Sequence, residues 1–269
     1  MRTLSTASAL LLTMSLVTAQ ADPVGKVGAE LVAKNAASVC TLNVVLELNI
    51  MGQTQEHRLV GRGTIAHESG LILTGIQMVE PNVNVRGRNG QVPDVKVVPL
   101  EFKVVLGNEE KELDAFLVGK DSKLGFAFIQ LKDGLPAKHK GHVVDFSKAR
   151  SPKVGEQTLS INRLAKGYDY APFFSLSRVL GKMKKPRKAW IHGGNFATGL
   201  PVWSASGDLI GCYARIASGL DKAKSGTGQL VILRGGLVGA AVKQAVTQAK
   251  ELAEKEKKDD TPESPEPKK

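Results

Sequence analysis

The sequence has few of the residues that build metal, disulfide or phosphate sites. Its 269 residues include two cysteines and five histidines. Neither a Cys-x-x-Cys pair nor a His-x-x-x-His pair occurs, so we expect no metal site. No Gly-rich loop opens a helix in the manner that holds a phosphate group, and we therefore expect no cofactor.

Long apolar runs are also scarce, because only the first residues contain one. Arg2 supplies a positive charge, Ala9 to Val17 form an apolar run, and Ala19-Gln20-Ala21 ends the segment with small residues. This pattern predicts a signal peptide over residues 1–21, cleaved at about Ala21/Asp22. The alternative is an N-terminal membrane anchor, for which the run is short. We expect a secreted or periplasmic protein without a transmembrane segment after cleavage.

The two cysteines allow two interpretations in an exported chain. Export would permit a disulfide between Cys40 and Cys212. Both residues lie in apolar patterns typical of strands, where small buried thiols are common. We favour two free, buried thiols over the disulfide.

Acidic residues are outnumbered, since 37 Lys and Arg face 26 Asp and Glu, giving a net charge of +11. One stretch contains six basic residues and no acidic one: Arg178, Lys182, Lys184, Lys185, Arg187 and Lys188. The favoured interpretation is a solvated loop between strands, and the alternative is a grip on an anionic surface or polymer. Nucleic acid is disfavoured, because the stretch lacks the interleaved aromatic residues on which bases stack.

The rest of the chain predicts short strands in two groups, followed by one helix. Residues 22–34 suggest a leader with one helical turn, and a strand is expected from Leu71 to Val79. Residues 80–97 are polar and rich in turn formers, which predicts a surface loop. The helix is expected over residues 236–257, because apolar residues recur there at three- and four-residue spacing. Residues 258–269 predict a disordered, charged tail, and no internal sequence repeat is visible.

One stretch, residues 196–211, predicts a tight turn, a strand at Val202 and Trp203, a turn, and a second strand. It contains Gly199 and Pro201 and ends in Gly207-Asp208-Leu209-Ile210-Gly211. This order resembles the nucleophile loop of the HtrA/Deg-like trypsin-fold serine proteases. Two further regions resemble that family in the same order. They are Gly61 to Val79, and Val118 to Leu131.

The resemblance implies an all-β fold: a trypsin-like double β-barrel with a C-terminal helix. The domain would span residues 22–257, with a first barrel at about 35–133 and a second at about 138–234. No room remains for the PDZ domain that many HtrA proteins carry. The family's catalytic serine, histidine and aspartate positions fall on Thr198, Gln77 and Gly125, and the oxyanion loop falls on Phe196, Ala197 and Thr198. A looser register places Phe196 at the nucleophile.

These residues predict that the catalytic set is lost. The family mechanism needs a hydroxyl nucleophile, an imidazole that takes its proton, and a carboxylate that orients the imidazole. An amide such as that of Gln77 is not a base near neutral pH, and Gly125 has no side chain. A threonine hydroxyl needs a base to activate it.

We therefore expect a pseudoprotease that binds a peptide or protein partner, or serves as a scaffold in the cell envelope. Two alternatives remain. One is an active secreted serine-type endopeptidase whose base has moved to His192, His57 or His67. The other is a basic module that binds polyanions.

Overall fold

The computed structural model describes residues 22–50, 52–81, 95–194, 196–216 and 229–259. They form two closed antiparallel barrels of six strands each and a C-terminal helix. This confirms the expected all-β, trypsin-like double barrel with a C-terminal helix. In this part of the chain no helix has both the length and the apolar composition needed to cross a bilayer.

The first barrel closes around a largely aliphatic core. Its strands are β1 (Val39–Ile50), β2 (Gln53–His67), β3 (Leu71–Gly75), β4 (Val95–Leu106), β5 (Glu112–Asp121) and β6 (Phe126–Leu131). They neighbour one another in the order β1-β2-β3-β6-β5-β4. Alternate residues of β1, such as Leu42, Val44 and Leu46, are buried, as expected when every second side chain faces a barrel interior.

The second barrel repeats this arrangement. Its strands are β7 (Gln157–Arg163), β8 (Pro172–Met183), β9 (Ala189–His192), β10 (Pro201–Ser204), β11 (Leu209–Ile216) and β12 (Gln229–Leu233). Read from β7, their order is β7-β8-β9-β12-β11-β10, which matches the first barrel strand for strand. The absence of a visible sequence repeat therefore coexists with a repeat of topology.

Two arginines join the barrels. The buried guanidinium of Arg163, on β7, donates to the carbonyl oxygens of Val39 at 2.7 Å and Ala36 at 2.5 Å, and to Asn108 Oδ1 at 2.6 Å. Arg62, on β2, donates back to the Arg163 carbonyl at 2.9 Å. Burial lowers the pKa of both guanidinium groups. The backbone acceptors around them compensate the lost hydration.

Two helices pack against the outside of the barrels. Helix α1 (Pro23–Asn35) begins at Asp22, whose side chain accepts from the Val24 N–H at 3.0 Å. Helix α2 (Gly235–Asp259) buries Val238, Val242, Ala245 and Ala249 over a cluster to which both barrels contribute. The apolar face expected for this helix is confirmed.

Several local predictions were wrong. Residues 23–35 form a helix of 13 residues, followed by a 3-10 turn at Ala36–Ser38 before β1, where a leader with one helical turn was expected. Strand β3 ends at Gly75 and is followed by a 3-10 turn, Ile76–Met78, where a strand was expected to Val79. The loop was expected to run to residue 97, but β4 already begins at Val95, because β4 pairs with the far end of β1.

The predicted signal peptide lies outside the described residues, as do residues 260–269 of the predicted tail. Residues 258 and 259, placed in that tail by the sequence, belong to α2. Cys40 and Cys212 are both free and fully buried, so the disulfide interpretation was wrong. Burial raises the pKa of the Cys40 thiol to about 12 and also raises that of Cys212.

Candidate functional site

The three positions that the resemblance assigned to catalysis meet between the barrels. The 3-10 turn after β3 carries Gln77, and Gly125 directly precedes β6. Thr198 lies in the loop before β10, on the second barrel. The first barrel therefore supplies two positions and the second barrel supplies the third.

Gln77 contacts Thr198 directly. Its Nε2 donates a short hydrogen bond to Thr198 Oγ1. This is the contact that the register through Thr198 requires. The Thr198 side chain is only 2% exposed, and the Gln77 Oε1 atom is buried without a hydrogen-bond partner among the described residues.

Gly75 makes room for this pair. A Cβ atom on Gly75 would lie 1.8 Å from Thr198 Oγ1 and 2.4 Å from Gln77 Nε2. Any side chain at residue 75 would therefore occupy the space in which the amide meets the hydroxyl. Across the same interface, Thr64 Oγ1 donates to the Gly199 carbonyl at 2.7 Å, which ties the Thr198 loop to β2.

Gly125 contacts the turn that carries Gln77, but it does so through backbone atoms alone. Its carbonyl oxygen accepts from the Ile76 N–H at 2.9 Å. Its φ angle is +74°, and a Cβ atom there would lie 2.3 Å from the Arg215 carbonyl oxygen. Glycine is the residue that tolerates this conformation. A carboxylate at residue 125 would need the chain around it to shift.

This arrangement cannot activate a nucleophile by the serine-protease route. The group that contacts the Thr198 hydroxyl is an amide N–H, which donates to the hydroxyl oxygen and takes no proton from it. No carboxylate is available at residue 125 to orient a base. Without a base, a threonine hydroxyl is a weak nucleophile.

Aromatic rings fill the space beside the Thr198 loop. Phe196 stacks on Tyr213 with ring centroids 4.9 Å apart, and His192 packs edge-on against Phe196 at 4.8 Å and Tyr213 at 4.6 Å. Ala197 belongs to the same apolar cluster. The loop that the resemblance equates with the oxyanion hole is thus held by packing against the interior of the second barrel. Asn195 lies outside the described residues.

His192 does not act as a displaced base for Thr198 in this geometry. Its Nε2 lies 2.9 Å from Tyr213 Oη and 3.2 Å from Thr158 Oγ1, and its Nδ1 is buried without a partner among the described residues. Burial lowers the pKa of His192 from 6.5 to about 4. At neutral pH the ring is uncharged and bonded inside the second barrel.

The other two histidines considered as bases are also separate from Thr198. His57 is exposed on β2, and His67 Nδ1 lies 3.0 Å from Ser69 Oγ at the opposite end of that strand. The described residues contain no group of three or more His, Cys, Asp or Glu that could hold a metal ion.

The basic residues predicted as a polyanion grip occupy one hairpin. Arg178 and Lys182 lie on β8, and Lys184, Lys185, Arg187 and Lys188 lie in the turn that leads to β9. All but the half-buried Arg187 are exposed. This hairpin is distinct from the Gln77–Thr198 pair.

Sequence reasoning missed Gly75, Tyr213 and Thr158. Gly75 was the one of these with a usable signal, because it precedes the predicted base position and an isolated glycine in a strand pattern can mark a close approach. The partnership of Thr158 and Tyr213 with His192 joins three strands of the second barrel. No local pattern reveals such a contact.

No protein-family model matches this chain, and a comparison with curated proteins finds no match either. The fold and the site geometry described above therefore carry the functional argument by themselves.

Proposed function

We propose that this protein is an exported, catalytically inactive relative of the HtrA/Deg-like serine proteases that binds a peptide or protein partner. One observation carries the proposal: the amide of Gln77 contacts the Thr198 hydroxyl where a general base would have to be. The double-barrel frame is present, while the groups that would perform the chemistry are replaced.

Two further observations support the loss of catalysis. The backbone at Gly125 excludes an orienting carboxylate without rearrangement, as its Cβ contact with Arg215 indicates. The Thr198 side chain is buried, so its hydroxyl is poorly placed to reach a substrate. Export is part of the proposal and rests on the pattern of residues 1–21.

The first experiment uses protein purified from the native host. We expect its N-terminal residue to be Asp22, and we expect neither cleavage of unfolded casein nor labelling by a fluorophosphonate probe. Trypsin in the same assay is the positive control. An intact Met1 would contradict export, and labelling mapped to Thr198 or to Ser204 would overturn the inactive assignment.

The binding half of the proposal is tested with a variant that fills the space in which Gln77 meets Thr198. Gly75→Ala places a methyl group against Thr198 and Gln77, whereas Gly181→Ala is the matched control, since its Cβ would meet nothing closer than Ile191 Cδ1 at 3.5 Å. The test is capture of partners from the host's envelope fraction, followed by a binding measurement with the purified partner. We expect Gly75→Ala to bind it at least tenfold more weakly than Gly181→Ala does. Equal binding would place the partner elsewhere.

A further inference from the structure

The hairpin β8–β9, residues 172–192, carries cations that form no ion pair with an acidic side chain in the part of the chain that the structure describes. Among the ion pairs of the described residues, none involves Arg178, Lys182, Lys184, Lys185, Arg187 or Lys188. Arg178 donates to the Gly155 carbonyl at 2.6 Å, and Lys182 Nζ lies 5.5 Å from the centroid of the Trp190 ring. The hairpin therefore presents a concentrated positive charge.

A carboxylate in the loop bonded to β8, that of Glu156, is already paired with another cation. Glu156 is joined to β8 through the backbone, because its carbonyl oxygen accepts from the Val179 N–H at 2.9 Å. Its side chain, however, is engaged by the Arg150 guanidinium. Burial acts to raise the pKa of Glu156, but the hydrogen bonds from Arg150 and from the Lys153 N–H, together with the charges of both residues, outweigh burial and hold that pKa below its usual value. The carboxylate of Glu156 is thus already paired with Arg150.

Large apolar side chains are exposed among these cations. On β8, Leu176 is 47% exposed and Leu180 is 59% exposed, and they alternate with Arg178 and Lys182. Val154, in the loop bonded to β8, is 60% exposed. A solvated loop between strands does not require exposed apolar side chains beside its cations. That interpretation of the basic stretch therefore leaves these three apolar residues unexplained.

We propose that the β8–β9 hairpin binds the surface of an anionic phospholipid bilayer. The turn cations would pair with lipid phosphates, while Leu176, Leu180 and Val154 would enter the boundary between headgroups and acyl chains. Surface binding of this kind grows with the apolar area buried and with attraction to anionic lipid. Nucleic acid fits less well, because the exposed side chains between the cations are aliphatic and offer bases nothing to stack on. This surface is separate from the Gln77–Thr198 pair, and its lipid binding does not depend on the proposed function.

The test is co-sedimentation with vesicles of phosphatidylcholine alone and of phosphatidylcholine mixed with phosphatidylglycerol, at low and high salt. It uses the full chain and, beside it, the chain beginning at Asp22, because the apolar run Ala9 to Val17 would add lipid binding of its own. We expect the chain beginning at Asp22 to bind the anionic vesicles only, with binding that weakens as salt rises.

Two variants and one matched control identify the surface. The hairpin-charge variant replaces Lys184, Lys185, Arg187 and Lys188 with Gln. The control variant removes the same charge from exposed helix positions by replacing Lys26, Lys34, Lys243 and Lys250 with Gln. The leucine variant is Leu176→Ser with Leu180→Ser. All three are checked for folding by circular dichroism.

Each basic side chain near an anionic membrane contributes roughly fivefold to binding, so the hairpin-charge variant, which removes four of them, should lose roughly several hundredfold. The leucine variant should lose roughly tenfold, since it removes the apolar burial. The control variant should lose much less than the hairpin-charge variant. Equal losses in those two variants, or equal binding to both vesicle types, would overturn the proposal. Unchanged binding of the leucine variant, with displacement by a soluble polyanion, would reject the bilayer in favour of a purely electrostatic partner.

Discussion

The two barrels share one strand order but differ in what they enclose. The hydrophobic cluster inside the first barrel contains a single aromatic residue, Phe102, among the residues that the structure describes. The cluster inside the second contains Trp190, Trp203 and Tyr213, and it surrounds the titratable ring of His192. The same topology thus holds an aliphatic interior in one half and an aromatic, partly polar interior in the other.

This difference shows which features barrel closure depends on. Closure requires continuous backbone hydrogen bonding around the sheet and alternation of inward and outward side chains. Both barrels satisfy these conditions, so the identity of the interior side chains is free to differ. In the candidate site the first barrel contributes turns, at Gln77 and Gly125, whereas the second contributes Thr198 and the aromatic packing behind it.

The largest expected effect comes from removing Arg163, one of the two arginines that join the barrels. Arg163→Ala removes a buried guanidinium that also donates to the Tyr170 carbonyl at 3.0 Å, and it leaves several buried oxygens without donors. We expect a loss of roughly 3–5 kcal/mol in the free energy of unfolding, measured by urea denaturation. Arg178→Ala, which removes an exposed arginine from the same barrel, should change stability by less than about 0.5 kcal/mol. Similar losses in the free energy of unfolding for the two variants would show that Arg163 does not hold the barrels together.

The titratable interior of the second barrel predicts a pH dependence. The pKa of His192 is about 4 in the folded protein and near 6.5 when unfolded, so the unfolded chain binds the extra proton between these values. Stability should therefore fall as pH drops from about 6.5 towards 4. We expect this one group to cost about 2.5 kcal/mol between pH 7 and pH 4.5.

His192→Gln should remove that part of the pH dependence, as measured by urea denaturation at both pH values. His57→Gln is the control, because His57 is exposed on β2, and it should keep the full dependence of the unmodified protein. If His192→Gln loses as much stability on acidification as His57→Gln does, the interior histidine is not responsible.

The smallest expected effect tests the polar interior of the second barrel at one hydroxyl group, that of Tyr213. Tyr213→Phe keeps the ring that stacks on Phe196 but removes the hydroxyl 2.9 Å from His192 Nε2. We expect a loss of about 1 kcal/mol at pH 7, because the histidine nitrogen keeps only Thr158 as a partner. Tyr168→Phe, at a residue 69% exposed, should leave the midpoint of unfolding unchanged. A loss no larger for Tyr213 than for Tyr168 would argue against a polar network in this interior.

Several parts of this molecule were predictable because their signals are local. The periodicity of α2 follows from its own side chains, and the motif order placed Gln77, Gly125 and Thr198 at positions that the fold brings together. Helix α1 was underestimated because its stability comes from contacts distant in sequence, such as Gly28 beneath the Phe174 ring. The early end of β3 was missed because the 3-10 turn depends on a hydrogen bond from the Ile76 N–H to the carbonyl oxygen of Gly125, which is distant in sequence.

The amino-acid sequence by itself determined that residue 77 carries an amide and that residue 125 carries no carboxylate, because no fold turns the amide of Gln77 into a base or gives Gly125 a side chain. It also determined where the positive charge lies along the chain. Only the tertiary structure decided that Gln77 touches Thr198, that His192 is committed to Tyr213 and Thr158, and that leucines are exposed among the cations of the β8–β9 hairpin. These features depend on pairing and packing between segments far apart in the chain, and local residue patterns therefore do not predict them.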